Sequence, residues 1–214
     1  MLGLEQYGLP LQVAAVVIPA AVYFLLLGLL NSQRTPQLLR SRTDFILLIL
    51  AFSPLFFMPL LISLGAASWT FVAVLALVAV GTVLMAPSAT GHWVIYNITL
   101  PEVLRCAERS LGEMDISFRR DGRRLILAGR NVTVTFGTLP LLRNVSITAE
   151  GADLAGFDAA FAAALGKQLG TIQAETTPMA AAFLLISIVM LVTPLSFVAE
   201  RMPEMVRLIG GLLK

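Results

Sequence analysis

The chain has 214 residues, of which 57% are hydrophobic and 13% charged, with a net charge of +2. Soluble domains carry about 25% charged residues, so this composition and a mean hydropathy of +0.86 exclude an ordinary soluble protein. They point to an integral membrane protein with a modest polar part. The small net charge gives no argument for nucleic acid, and a lone Cys106 with a lone His92 excludes an intrachain disulfide or a zinc site made of Cys and His alone.

Four apolar runs are spaced along the chain, at residues 11–30, 45–64, 70–86 and 179–199, and none contains Asp, Glu, Lys, Arg or His. Each approaches the roughly 20 residues that cross about 30 Å of hydrocarbon. The expected fold class is therefore an α-helical integral membrane protein with four transmembrane helices and one inserted α+β domain. Its divisions are 1–96 (three spans), 97–176 (the polar domain) and 177–214 (the fourth span and an amphipathic tail). Glu5 is the only charge before the first run, which favours a retained span over a cleaved leader. Pro19, Pro54, Pro59 and Pro194 are helix-kink candidates within the spans. Ala73, Ala76, Ala79 and Gly81 are small enough for close helix packing.

The loop 31–44 holds Arg34, Arg40 and Arg42 against Asp44 alone. The positive-inside rule places that loop, and with it 97–176, in the cytoplasm. Both termini then face outward, and the expected location is a bacterial inner membrane. Asp44 is expected to cap the second span. Trp69, Trp93 and Tyr96 suit interfacial aromatic belts. The segment 65–69 reads as the tip of a tight helical hairpin.

In the polar domain, Thr99 and Glu102 form a capping box ahead of a helix at 100–113, with Val103, Leu104, Ala107, Leu111 and Met114 at helical spacing. Asp121-Gly122 between alternating strands predicts a hairpin that pairs Phe118 with Leu125 and Ile116 with Leu127. Val132, Val134 and Phe136 then alternate, 137–142 reads as a turn or bulge, and Val145 and Ile147 mark a fourth strand. Asp153 is expected to cap a helix to about Gly170 whose apolar face is Leu154, Phe157, Phe161, Leu165, Leu169 and Ile172. The order predicts a four-stranded antiparallel meander with helices on one face.

Arg119, Arg120, Arg123 and Arg124 crowd the predicted hairpin. The segment 97–176 holds nine Lys and Arg against nine Asp and Glu, which disfavours nucleic acid. These four arginines are the candidates for lipid or partner contact, set against a role in keeping a strand tip soluble and unpaired. No Walker loop, HExxH, CxxC or GxSxG occurs. No catalytic residue, metal ligand or cofactor is expected. His92, with Ser88 and Thr90 nearby, reads as interfacial, and Cys106 as a structural thiol. The Asn-x-Ser/Thr triplets at Asn97, Asn131 and Asn144 read as chance matches on a cytoplasmic domain.

The expected function is that of a non-enzymatic multi-pass subunit that binds, assembles or regulates a partner membrane complex through its small domain. Its expected partners are membrane lipids and another membrane protein or a second copy, without nucleic acid. A small oligomeric transporter or channel, and an enzyme acting on an anionic lipid, are the alternatives. The few polar groups in the spans, Tyr23, Ser53, Ser63, Thr70, Thr82, Ser187, Thr193 and Ser196, argue against a water-filled path.

Overall fold

The computed structural model describes residues 4–64, 69–139, 143–175 and 177–212. In chain order the elements are α1 (Leu4–Ser32), β1 (Gln37–Arg40), α2 (Ser41–Leu64), α3 (Trp69–Met85), β2 (His92–Tyr96) and α4 (Leu100–Glu113). There follow β3 (Phe118–Asp121), β4 (Arg124–Leu127), β5 (Val132–Leu139), β6 (Asn144–Gly151), α5 (Leu154–Leu169) and α6 (Pro178–Leu212). They form two compact units, one of apolar helices and one built from Leu27–Leu47 and Met85–Ala182.

Among the described residues three helices are long and apolar enough to cross a membrane, through windows Val13–Ser32, Ser41–Leu60 and Pro178–Ser196. The run at 70–86 forms the 17-residue α3, about 25 Å long at 1.5 Å per residue. That is shorter than a full hydrocarbon core, so α3 falls below the length of the other three, and the fourth expected span is not confirmed. The helices remain continuous through Pro19, Pro54, Pro59 and Pro194. α6 runs on to Leu212, through the residues where the amphipathic tail was expected. Within the helical unit, Phe24 stacks on Phe183 at 6.0 Å and meets Phe52 edge-on at 6.2 Å, joining α1, α6 and α2. The close packing expected of the small residues on α3 is not formed within the described chain. Ala73, Ala76 and Ala79 are exposed, and a Cβ on Gly81 would meet nothing within 4 Å.

The second unit contains a six-stranded antiparallel sheet in the order β1-β2-β6-β5-β4-β3. The expected meander is present as β3 to β6, and two strands extend it. β1 comes from the loop between α1 and α2, and β2 follows α3. Trp93 and Tyr96 are therefore not interfacial residues. They are 1% exposed within the sheet, and Trp93 pairs with Arg40 on one side and Ile147 on the other.

One face of the sheet carries the core. Trp93, Ile95, Leu125, Leu127, Val132, Val134, Phe136, Val145 and Ile147 pack against Val103, Leu104, Ala107 and Leu111 of α4. The same cluster takes in Phe157, Phe161, Leu165 and Leu169 of α5. The two helices thus cover one sheet face, as their apolar spacing dictates. The cap of α4 is as expected: the Thr99 N–H donates to Glu102 Oε2 at 3.0 Å and the Thr99 hydroxyl to the same oxygen at 2.6 Å. The Thr99 hydroxyl, opposed by burial and helped by the Thr99 N–H and the charges of Arg105 and Arg143, holds the Glu102 carboxyl below its usual range. Asp153 occupies the N-cap position of α5, but its side chain makes no capping hydrogen bond.

Two details differ from the expected strands. The β3–β4 register is Phe118 with Leu127 and Arg120 with Leu125, two residues from the predicted pairing. The loop is Gly122-Arg123, with Gly122 at φ +57°. Glycine at the first loop position supplies the positive φ without strain, whereas an Asp121-Gly122 loop of the predicted type would force Asp121 there. A slip of two keeps every side chain on its predicted face. Further on, β5 continues through Gly137 to Leu139 instead of turning at 137. Pro140 and the rest of the expected turn at 140–142 lie outside the described residues.

Candidate functional site

The polar chemistry of the sheet unit gathers at two places. The first is the β1 edge. Arg40, the last residue of β1, lies on the core face opposite Trp93, with its guanidinium carbon 5.4 Å from that ring's centroid. It grips Asp158 of α5 with two nitrogens, Nη1 to Oδ1 and Nη2 to Oδ2, each at 2.7 Å. The Asp158 side chain is 7% exposed, and its Oδ1 also accepts the Gly91 N–H at 2.6 Å. Burial alone would raise the Asp158 carboxyl. The hydrogen bonds from Arg40 and Gly91 and the Arg40 charge outweigh it and hold the carboxyl below the usual aspartate range. The Asp158 hydrogen bond in turn pushes Arg40 up, so both partners stay charged. Gly91 has φ +75°, and a Cβ there would sit 2.5 Å from the Ala149 carbonyl oxygen. Only glycine fits that close approach.

The neighbouring contacts bind the same segments together. The Tyr96 hydroxyl donates to Asp44 Oδ1 at 2.6 Å. Asp44 was expected to cap the second span, but α2 begins at Ser41, so Asp44 lies in the first turn and anchors β2. Asn97 is buried at φ +59°, and its Nδ2 donates to the Gln33 carbonyl at 2.9 Å. A side chain so enclosed has no room for a glycan. The Ala174 N–H donates to the Arg34 carbonyl at 2.7 Å, and the Thr177 hydroxyl accepts the Ala180 N–H at 3.2 Å to cap α6. All of these contacts lie within the sheet unit. No sequence motif pointed to them, because Arg40 and Asp158 are 118 residues apart.

The second place is the β3–β4 hairpin, where all four candidate arginines are exposed. Arg120 lies on the core side of the sheet, opposite Leu125, and bridges to Glu108 of α4 at 3.0 Å. Arg119 and Arg124 share the helix-free face, and Arg123 occupies the loop. Among the described residues no ion pair of 4 Å or less holds these three. The structure thus divides the predicted cluster into one tethered arginine and three untethered ones.

His92 stands at the start of β2 with Nδ1 3.5 Å from the Thr148 hydroxyl. Ser88 donates to the Thr90 carbonyl, away from it. Cys106 is 3% exposed in α4, and burial pushes its thiol up, which disfavours the reactive thiolate. Among the described residues no group of three or more His, Cys, Asp or Glu could hold a metal. In the helical unit a groove of about 790 Å³ lies between α2 and α3, lined by Leu48, Phe52, Phe56, Leu75 and Val78 among others. Its two hydroxyls, Ser53 and Thr82, donate to their own helix at Leu50 and Val78. Ser187, Thr193 and Ser196 of α6 do the same, donating to Leu184, Val189 and Thr193.

No family model matches the chain, and neither the curated proteins nor the solved structures contain a match to it. The functional reading therefore rests on its own residues.

Proposed function

We propose that the chain is a non-enzymatic, multi-pass membrane subunit that crosses the bilayer four times and engages a partner membrane protein through its sheet unit. One observation carries the topology. β1 precedes α2, β2 follows α3, and the two strands are neighbours in one sheet. Both must lie on the same side of the membrane. If α2 crosses, the chain has to return before β2, and α3 is the described segment available for the return. Its 17 residues are short for a bilayer, which local thinning accommodates at modest cost. The arginines at 34, 40 and 42 make the sheet side cytoplasmic by the positive-inside rule, with both termini outside. An inner bacterial membrane suits that arrangement.

The subunit reading is supported by what the polar groups do. The Arg40–Asp158 ion pair, the shortest among the described residues, and the Asp44–Tyr96 contact tie segments of the chain together. Ser53, Thr82, Ser187, Thr193 and Ser196 donate to carbonyls of their own helices, which does not favour their serving a transported ion.

Two measurements test this. Single cysteines at Ala67 and Thr90, in a Cys106→Ser background, are expected to react with an impermeant maleimide from opposite sides of the membrane. Labelling of both from one side would overturn the four-crossing topology. Native purification in mild detergent followed by mass spectrometry is expected to show a stoichiometric second membrane protein. A homo-oligomer alone would instead favour transport.

A further inference from the structure

We infer that the cleft between α4 and the segment after α5 is a binding site for a phosphate monoester group. It is lined by Glu102, Arg105, Cys106 and Arg109 of α4 and by Ile172 beyond α5, and has a volume of about 230 Å³. All five residues belong to the sheet unit. Arg105 and Arg109 are one helical turn apart, so they share a face of α4, and like charges at that spacing repel. Both are exposed. The acidic residues of α4 are engaged elsewhere. Glu102 Oε2 accepts the Thr99 N–H and hydroxyl, Glu108 bridges to Arg120, and Glu113 takes Lys167 and Gln168. Among the described residues no ion pair of 4 Å or less holds Arg105 or Arg109.

The lining of the cleft carries a positive excess. Burial keeps the Cys106 thiol neutral against the pull of Arg109 and Arg105. Glu102 is then the one negative charge set against two guanidiniums, and such an excess attracts anions. Size narrows the choice. Drug-sized ligands occupy pockets of about 300–1,000 Å³, so this cleft takes one small group and neither a nucleotide nor a peptide. A carboxylate offers two oxygens. A phosphate monoester offers three, carries about −1.5 to −2 at neutral pH, and accepts from two guanidinium forks at once. Phosphatidic acid and small soluble phosphates present the same group, and that group is what the cleft recognises. The site stands apart from the subunit reading, since it needs no second protein.

The test is equilibrium dialysis of radiolabelled inorganic phosphate against the full chain in phosphatidylcholine nanodiscs, at constant ionic strength. Saturable binding of one phosphate per chain is expected. The combined Arg105→Gln and Arg109→Gln variant is expected to bind about tenfold more weakly. Ile172→Phe narrows the cleft and keeps both charges, and should also weaken binding. Arg119→Gln with Arg124→Gln removes two exposed arginines elsewhere and should leave binding within about twofold. Absence of saturable binding would overturn the inference. So would equal binding by the wild type and the Arg105/Arg109 variant, or equal losses in that variant and the Arg119/Arg124 variant, which would mean that phosphate follows surface charge alone. Discs containing phosphatidic acid then identify the source: displacement of the label assigns the group to a lipid, and undiminished binding assigns it to a soluble phosphate.

Discussion

At the scale of single residues, Asp158 joins α5 to β1 and to the segment before β2. It is nearly enclosed, ionised, and shared between Arg40 and the Gly91 N–H. Truncating one partner of a desolvated pair strands the other. Because Arg40 is 38% exposed, water recovers part of that loss. Asp158→Ala should therefore destabilise the protein by about 2 kcal/mol, read as a lower unfolding midpoint in detergent. Acid acts on the same group. Its folded pKa is depressed, so its contribution is complete above the unfolded value of about 3.9 and is lost as pH falls through the lower folded value. Between these values the wild type should lose stability on acidification more steeply than Asp158→Asn. Matching slopes would mean that the carboxylate is not held by these contacts. Gly91→Ala attacks the clasp from the other side. The added Cβ meets the Ala149 oxygen at 2.5 Å in a backbone with φ +75°. A loss of about 2 kcal/mol or more is expected from the clash and the strain together.

At the scale of elements, backbone fit decides what packing alone leaves open. Gly137 lies within β5 because a Cβ there would come 2.5 Å from Ser146 Oγ on β6. Gly137→Ala should cost about 1–2 kcal/mol, and Ser146→Ala should recover most of it by removing the obstructing hydroxyl. A double-mutant cycle by chemical unfolding checks this, and additive losses would place the cost in the backbone instead. The same contrast explains what was legible in the sequence. The alternation of Val132, Val134 and Phe136, and the helical spacing of Phe157, Phe161, Leu165 and Leu169, named buried residues correctly, since each element has one dry face. β2 shows no such alternation. Trp93, Val94, Ile95 and Tyr96 are all buried, and beside an apolar run they look like a membrane interface. β1 is four residues long, and its partner is more than fifty residues away in the chain. The hairpin faces could be read from parity, but the split of the arginines needed Glu108, which only the packing of α4 brings near. The Arg40–Asp158 clasp had no local signal at all.

At the scale of the whole molecule, β1 and β2 would be an ordinary β-hairpin if the chain between them were short. Arg40 pairs with Trp93, and everything from residue 41 to residue 92 stands where a two-residue turn would suffice. The α2–α3 segment is therefore an insertion into a sheet that is complete without it, whereas β1 is an integral part of that sheet. β2 relies on β1 to satisfy one side of its backbone, and a bare β2 edge carrying Trp93, Val94, Ile95 and Tyr96 would offer an apolar pairing template. This sets two soluble fragments against each other. In the first, residues 33–175 have 41–92 replaced by Asn-Gly, a pair that suits a two-residue hairpin turn. It should be monomeric and unfold cooperatively, somewhat weakened by loss of the Gly91 and Asp44 contacts. In the second, residues 93–175 stand alone, and the exposed β2 edge should drive self-association visible by sedimentation. If both fragments behave alike, β1 is not needed to close the sheet. If only the first is monomeric, the sheet unit owes its fold to pairing of β1 with β2, and the α2–α3 segment between them is not needed to close the sheet.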